Sequence, residues 1–459
     1  MTQLMEEKNV HLSNFQRFEK EANGDGATMP WLDDLRKAGM ARFDLVGFPS
    51  SKDEHWRHTQ LAPIVRTKFE LAENVVNDAV LDAIKDFGFG NEAVSELVFV
   101  NGHYNAQLSK LGKLPRGVVV NSLAKALERD DGGRIQQHLG RTADIEANPF
   151  VALNTGFIRD GAYLFFPRGA ALEQPIHLLF VNTGGDRPVV SHPRVLIVAE
   201  DNSEFTLVNS FVGAGGQHFS NVVTEVVVGA DCRIDYTTLQ HEAVESFHIS
   251  TLQVKLARGA NFVSQAATLG GRVTRNDLNC VLAGEGAEAT LNGLVIIGGE
   301  QHCDNHTLLD HAAPNCPSHE LYKHVLSDKA SGVFRGKILV RQIAQKTNSK
   351  QTSKSLLLSD DAYMNSQPAL EIYADDVKCT HGSTVGPVDE DMMFYFRTRG
   401  VGRQQARDLL TYAFAADITR RIKIEPVRRR LEDFMATRAG LPQDLRITDL
   451  GAANEAHRT

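Results

Sequence analysis

The chain has 459 residues, enough for about two or three domains of roughly 150 residues or for one long repetitive domain with caps. Apolar residues make up 42% and charged residues 23%, so a sizeable core can be buried and wholesale disorder is excluded. The 57 acidic side chains outnumber the 49 basic ones for a net charge of −8, which excludes a coat for nucleic acid or anionic membrane, because both need clustered Lys and Arg.

Residues Met1 to Val10 include Glu6 and Glu7 and lack the basic start and apolar stretch of a signal peptide. No apolar run approaches the roughly 20 residues of a membrane span, and the five cysteines (Cys232, Cys280, Cys303, Cys316, Cys379) are odd in number and scattered. The expectation is a cytoplasmic protein in a reducing compartment, without a disulfide framework.

A mixed, largely helical N-terminal region is expected over residues 1–149. Phe15 to Ala22 and Met29 to Gly39 read as short helices, the second opening at Pro30 as suits a first helical turn. Val76, Val80, Ala83, Ile84 and Phe87 recur at helical spacing within Val75 to Phe87. Over residues 150–388 that spacing vanishes and short β-branched runs replace it: Val195 to Val198, Phe205 to Val208, Val222 to Val228, Leu252 to Leu256, Leu294 to Ile297. Between them a corner of small and turn-forming residues recurs: Asp201-Asn202-Ser203, Gly229-Ala230-Asp231, Gly259-Ala260-Asn261 and Gly286-Ala287-Glu288, whose first members stand 28, 30 and 27 residues apart. Gly takes φ > 0 freely and Asn or Asp tolerates it, so these residues suit a repeated sharp corner. Strands on both sides of a corner with a period near 28 predict stacked coils, each burying its apolar face against the next. The fold class expected is mainly β, a parallel β-helix (β-solenoid) flanked by helical N-terminal and C-terminal domains. A sandwich of hairpins would show Asn-Gly or Asp-Gly turns every 8 to 12 residues or so, and these are scarce.

Residues 389–459 read as helical again. Ala406, Leu409, Leu410, Ala413, Phe414, Asp417 and Ile418 lie at i, i+3, i+4, i+7, i+8, i+11 and i+12, an apolar stripe broken only by Asp417. A second helix from Pro426 to Arg438 is closed by Gly440 and Pro442. Such a pair can cap the open end of a solenoid or dock a partner. Arg428, Arg429 and Arg430 read as a solvated face.

No phosphate-binding loop, dinucleotide fingerprint, zinc-protease motif or nucleophile elbow is present, so any ATP used by this system is hydrolysed by another chain. Two stretches carry metal-binding residue types. Cys303-x-x-His306 followed by Cys316-x-x-His319 has the ligand types zinc prefers, against which stands the reading of polar ladders at coil edges. Cys379 and His381, two apart on an extended segment, project to one face and together suit Fe(II), Zn(II) or sulfur-bridged iron; Asp375 and Asp376 nearby add oxygen donors and raise the thiol pKa by like-charge repulsion.

At this segment the chain resembles a known family. Asn348-Ser-Lys-Gln-Thr-Ser-Lys-Ser-Leu-Leu-Leu-Ser359, Pro368 to Ile372, Asp375-Asp-Val-Lys-Cys-Thr-His-Gly382, Val385-Gly386 and Asp304 to Pro314 are similar to the shared core of the SufB/SufD iron–sulfur cluster assembly scaffolds, as is Asp389 to Gly400. Asp53-Glu54-His55-Trp56-Arg57-His58-Thr59, with Trp31, Leu32, Leu35, Arg36, Phe48 and Pro49 before it, resembles the E-x-W-x-x-T lead-in of the SufD branch. The resemblance implies a right-handed parallel β-helix between helical domains. It also implies pairing with SufB and binding of the ATPase SufC through the C-terminal helices, where Leu409, Leu410, Ala413 and Phe414 are the docking candidates. His381 matches the histidine thought to meet a SufB thiol at the site where the nascent cluster forms, and Cys379 its neighbouring thiol. The chain is then a non-catalytic scaffold holding a transient cluster or iron and no permanent cofactor, and pairing with itself when SufB is absent. The alternative is a β-helix enzyme acting on polysaccharide, for which Asp360-Asp361 and Asp375-Asp376 are the available carboxylates.

Overall fold

The structure, a computed structural model, describes residues 11–20, 29–129 and 133–438. Its centre is a parallel β-solenoid of about eight turns, with helical regions at both ends of the chain. Successive strands alternate between two sheets. In the first sheet Gly161–Phe166, Arg194–Ala199, His218–Val228, Phe247–Leu256, Val273–Leu282, His302–His311 and Ser331–Val340 follow one another, ending in the short strands Tyr363–Ser366 and Ala369–Ile372. The second runs from Ser95–Val100 through Ile176–Asn182, Glu204–Gly213, Arg233–His241, Asn261–Thr268, Glu288–Ile297, Pro317–Leu326 and Asn348–Leu357 to Lys378–Gly386.

The predicted corners join the first sheet to the second. Asn202, Asp231, Gly259, Gly286, Asn315 and Lys346 have φ between 57° and 70°. In the second corner it is therefore Asp231, not Gly229, that takes the left-handed conformation. Each of these residues donates its N–H to a carbonyl one turn on: Asn202 to Ala230, Asp231 to Arg258, Gly259 to Glu285, Gly286 to Pro314, Asn315 to Gln345 and Lys346 to Asp376, at 2.7 to 3.2 Å. The next residue in each corner (Ser203, Cys232, Ala260, Ala287, Cys316, Thr347) is small and buried, because the inside of the bend leaves no room for more. Four of the expected strands are much longer than their β-branched cores, since polar residues complete them at ladder positions, as in Glu288–Ile297.

Inside, the early turns are aromatic: Phe166 stacks on Phe205 at 3.6 Å, and Phe180 lies between Phe99 at 4.6 Å and Phe211 at 4.9 Å. The first end is finished by Val119–Ser122, antiparallel to Gly161–Phe166, and by His103–Tyr104 and Lys110–Leu111, antiparallel to Ser95–Val100.

Residues 11–20 are helical, so the helix expected from Phe15 starts earlier, and residues 21 and 22 lie outside the described residues. Helix Pro30–Val46 runs a further two turns beyond Gly39. At Gly39 it crosses helix Pro149–Gly156 so closely that a Cβ there would stand 2.8 Å from Ala152 O and Gly156 N. The third expected helix spans Asp78–Phe87, capped by Asn77, which leaves Val76 outside it and exposed. The Asp53–Thr59 element is pinned to the outer face of the first sheet. The Arg275 guanidinium lies 3.8 Å over the Trp56 ring, donates to His55 O at 2.6 Å, and is held by Asp277 at 2.9 Å and Asp304 at 2.8 Å; Thr59 donates to Asp304 and Arg335 pairs with Glu54.

Helices Arg403–Thr419 and Glu425–Arg438 lie along the outer face of the second sheet, packing Tyr412, Ala415, Ala416, Ile418, Leu431 and Met435 on Val208, Leu239, Ala267, Leu294 and Val325. They cover a sheet face and leave the last turn open, so the capping alternative does not hold. The stop at Gly440 and Pro442 lies outside the described residues. Among the described residues no helix is long and apolar enough to cross a membrane.

Arg194 and Glu225, both fully buried, pair at 2.5 Å, and Glu225 also accepts the N–H groups of Gly140, Thr142 and Ala143, tying the N-terminal region to the first sheet. Burial opposes ionisation of Glu225, yet Arg194 and these N–H groups hold its carboxyl below the usual range. Arg194→Met leaves that carboxylate unpaired in the interior and is expected to cost about 3–5 kcal/mol in denaturant unfolding. The added change Glu225→Gln should recover part of the loss.

Candidate functional site

Strand Lys378–Gly386 is the last turn of the second sheet. It pairs with Asn348–Leu357 in parallel register, Cys379 beside Ser349 and His381 beside Gln351, and no strand among the described residues covers its other edge. Side chains alternate along a strand, so Cys379 and His381 share one face, as their spacing predicts. That face points toward the solenoid interior: Val377 and Cys379 pack against the central core. Cys379 is half-buried and His381 exposed. Exposed Tyr363, Ile372, Tyr373 and Val385 surround this open end.

Burial pushes the Cys379 thiol above its ordinary value, partly offset by the Ser349 backbone. The like-charge cause expected from Asp375 and Asp376 is therefore replaced by desolvation; Asp376 is spent on an ion pair with Lys346. A thiol of this kind is a poor nucleophile at neutral pH but becomes a ligand once a cation displaces its proton. Among the described residues no group of three or more His, Cys, Asp or Glu side chains is arranged to hold a metal ion, and Cys379 and His381 belong to no such group.

Beneath each of the two residues runs a buried polar column. Under Cys379, Ser349 Oγ lies 2.6 Å from Ser318 Oγ, which is 3.0 Å from His311 Nε2. Under His381, Gln351 Nε2 donates to Glu320 Oε2 at 2.6 Å. One position along, Ser383 donates to Ser366 at 2.8 Å across the open mouth. Earlier turns fill the His381 column with Tyr236, Ser264 and Leu291, so along this column charge enters only at Glu320. Burial pushes the Glu320 carboxyl up to about 7, against the hydrogen bonds of Thr307 and Gln351. Gln351 and Glu320 are the site residues that residue-type reasoning misses. Gln351 lies within the family-like Asn348–Ser359 segment, but its place under His381 emerges only from strand register.

The zinc reading fails on topology. Cys303 lies on the interior side of strand His302–His311 and Cys316 inside a corner, each thiol pushed up by burial; His306 pairs with Asp304 at 3.0 Å, and His319 is exposed on a strand of the other sheet. The four never converge. The polysaccharide alternative has no paired carboxylates: Asp376 is bound to Lys346, and Asp360 and Asp361 sit on an exposed turn.

On helix Arg403–Thr419 the predicted stripe is split. Phe414 turns partly inward, with Lys323 Nζ 4.5 Å over its ring and 2.9 Å from its carbonyl. Leu409 and Leu410 remain half-buried and Ala413 exposed. The preceding helix, Glu390–Thr398, exposes Met392, Phe394 and Tyr395.

Two family models match the chain: the SUF system FeS cluster assembly SufBD core domain over residues 180–414, and the SufBD protein N-terminal region over residues 5–178. Among similar proteins, an iron–sulfur cluster assembly SufBD family protein of Synechocystis is 31% identical, covering 86% of this chain and 89% of the relative. The iron–sulfur cluster assembly protein SufD of Escherichia coli is 30% identical, covering 84% and 88%. Bacillus subtilis SufD is 24% identical over 87% and 92%.

Glu320 makes stability depend on pH in a definite direction. Between its ordinary value of 4.5 and about 7 the unfolded chain releases this proton while the folded chain keeps it; stability therefore falls as pH rises through that window and levels off above it. Glu320→Gln abolishes this slope, gaining roughly 3 kcal/mol on wild type between acid and mildly alkaline pH, as read from denaturant midpoints. A second expectation concerns thiol exposure. Four of the five cysteines are buried, so iodoacetamide on the folded chain should alkylate Cys379 alone, faster as pH rises; early label at Cys232, Cys280, Cys303 or Cys316 in mass spectra would contradict the packing.

Proposed function

The chain belongs to the SufBD family of SUF-system iron–sulfur cluster assembly proteins, and on that premise we propose that it is a SufD-type scaffold subunit that pairs with SufB and binds the ATPase SufC. Its role is to support de novo cluster formation and iron acquisition in the cytoplasm, with turnover of ATP confined to SufC. The observation that carries this reading is the Cys379–His381 pair on one face of a terminal strand with a free edge. Two donors are too few for a cluster or a tetrahedral iron site, so the remaining ligands come from the subunit that extends the sheet. SufB adds its strand along Lys378–Gly386 and buries the apolar rim of Tyr363, Ile372, Tyr373 and Val385. Iron or the nascent cluster is cargo here, handed on rather than retained. The raised thiol keeps Cys379 protonated until the incoming cation arrives, which favours transient over permanent loading.

SufC docks on the surface formed by Leu409, Leu410 and Ala413 with Met392, Phe394 and Tyr395, while Phe414 steadies the helix on the solenoid through Lys323. When SufB is absent the free edge pairs with a second copy of the chain.

The test is co-expression with SufB and SufC. Wild type should co-purify with both and accumulate iron and sulfide. His381→Ala should form the same complex with at least a tenfold lower iron and sulfide content. Normal loading of that variant would remove His381 from the site.

A further inference from the structure

The Gln351 amide is held in one orientation. Above about pH 7, where Glu320 is ionised, its carboxylate only accepts hydrogen bonds, so the amide turns its NH₂ to Glu320 (Nε2 to Oε2, 2.6 Å). Its carbonyl oxygen Oε1 is left buried without a hydrogen-bond partner. A buried, unmet acceptor of this kind carries a desolvation cost of about 1–3 kcal/mol, and such atoms call for an explanation. On the next turn the residue in register with Gln351 is His381, about 4.8 Å away along the sheet, with its side chain on the same interior face. The opposite wall makes room for the arrangement: a Cβ on Gly336 would collide with the Gln351 amide, so only glycine there lets the side chain lie across the interior. Glu320 is itself buried and in register with Gln351.

We propose that Gln351, braced by Glu320 and admitted by Gly336, accepts a hydrogen bond from one ring N–H of His381 and so fixes the tautomer and ring orientation with which that histidine meets its ligand. Gln351 is a positioning residue, since in this proposal it acts on the imidazole and not on the cargo. The chemistry is general: a ligating imidazole needs one nitrogen unprotonated, and a carbonyl acceptor on the other nitrogen chooses which one. An exposed imidazole without such a partner divides itself between two tautomers and many rotamers, and only part of that population presents a lone pair at the right point.

This inference rests on the ligand role proposed above for His381, but its test does not use cluster loading. In the metal-free full-length chain labelled with ¹⁵N-histidine, at a pH of about 8.5 where a typical imidazole is neutral, ring nitrogen shifts report the tautomer. The His381 signals are assigned by their loss in His381→Ala. Wild type should show one tautomer in clear excess over the mixture of a free imidazole. Gln351→Met, which offers no acceptor, should relax His381 to that mixture. Gly336→Ala should do the same while leaving both Gln351 and His381 in the chain; its methyl would stand 2.2 Å from Gln351 Nε2 and 2.8 Å from the Phe334 ring, so it displaces the amide by a second route should Gln351→Met fail to fold. A free-imidazole mixture in wild type, or an unchanged tautomer in both folded variants, overturns the proposal. The two readings fail separately. Normal cluster assembly by His381→Ala would remove the ligand role and leave the hydrogen bond standing, whereas a free mixture in wild type would remove the hydrogen bond and leave the ligand role.

Discussion

At one corner of nearly every turn, a residue with φ close to +60° sends its N–H into a carbonyl of the turn that follows. That bond sets the height of each turn over the last, and with it which side chains become neighbours across successive strands. A slip of one residue would send every interior side chain to the outside. The buried small residue after each corner removes the space that would absorb such a slip. Cys379 beside Ser349 and His381 beside Gln351 are products of that register, although all four lie far from most of the corners that enforce it.

Register also explains why the interior can change character along its length. In the early turns stacked phenylalanines lie beside a buried network in which Asn182, Ser220 and His218 meet Glu242. In the last turns serine, glutamine, glutamate and histidine take the place of the phenylalanines, and each needs a partner at the same height in the adjacent turn. The hydrogen bonds Ser318–Ser349 and Glu320–Gln351 show such partners in place. The polar columns cost stability, most visibly at Glu320, which lies two turns below the open edge of Lys378–Gly386.

Much of this was legible in the chain itself, and the exceptions have physical causes. Corners at Asn202, Gly259 and Gly286 announce themselves through residues that accept positive φ. Lys346 adopts the same conformation with a side chain that gives no such sign, and Asn315 is hidden between Pro314 and Cys316. The Cys379–His381 face follows from the two-residue repeat of a strand, which needs no partner to be read. Glu320 and Gln351 are 31 residues apart, and only the register of two strands brings them under His381. The helix stripe at Leu409, Leu410 and Ala413 was visible as apolar spacing, but the face that meets the sheet uses Tyr412, Ala415 and Ala416, whose small or mixed-polarity side chains give little contrast.

The two ends of the solenoid are chemically unlike. Val119–Ser122 and the short strands on Ser95–Val100 run against the direction of the others, and a parallel newcomer finds no template there. A coil that continues in parallel therefore finds its matching template at the Lys378–Gly386 end. A molecule with a single sticky terminus can join one companion but cannot propagate a fibre, so the antiparallel pieces act as a chain stopper, letting the cell keep an adhesive strand on display without seeding a polymer.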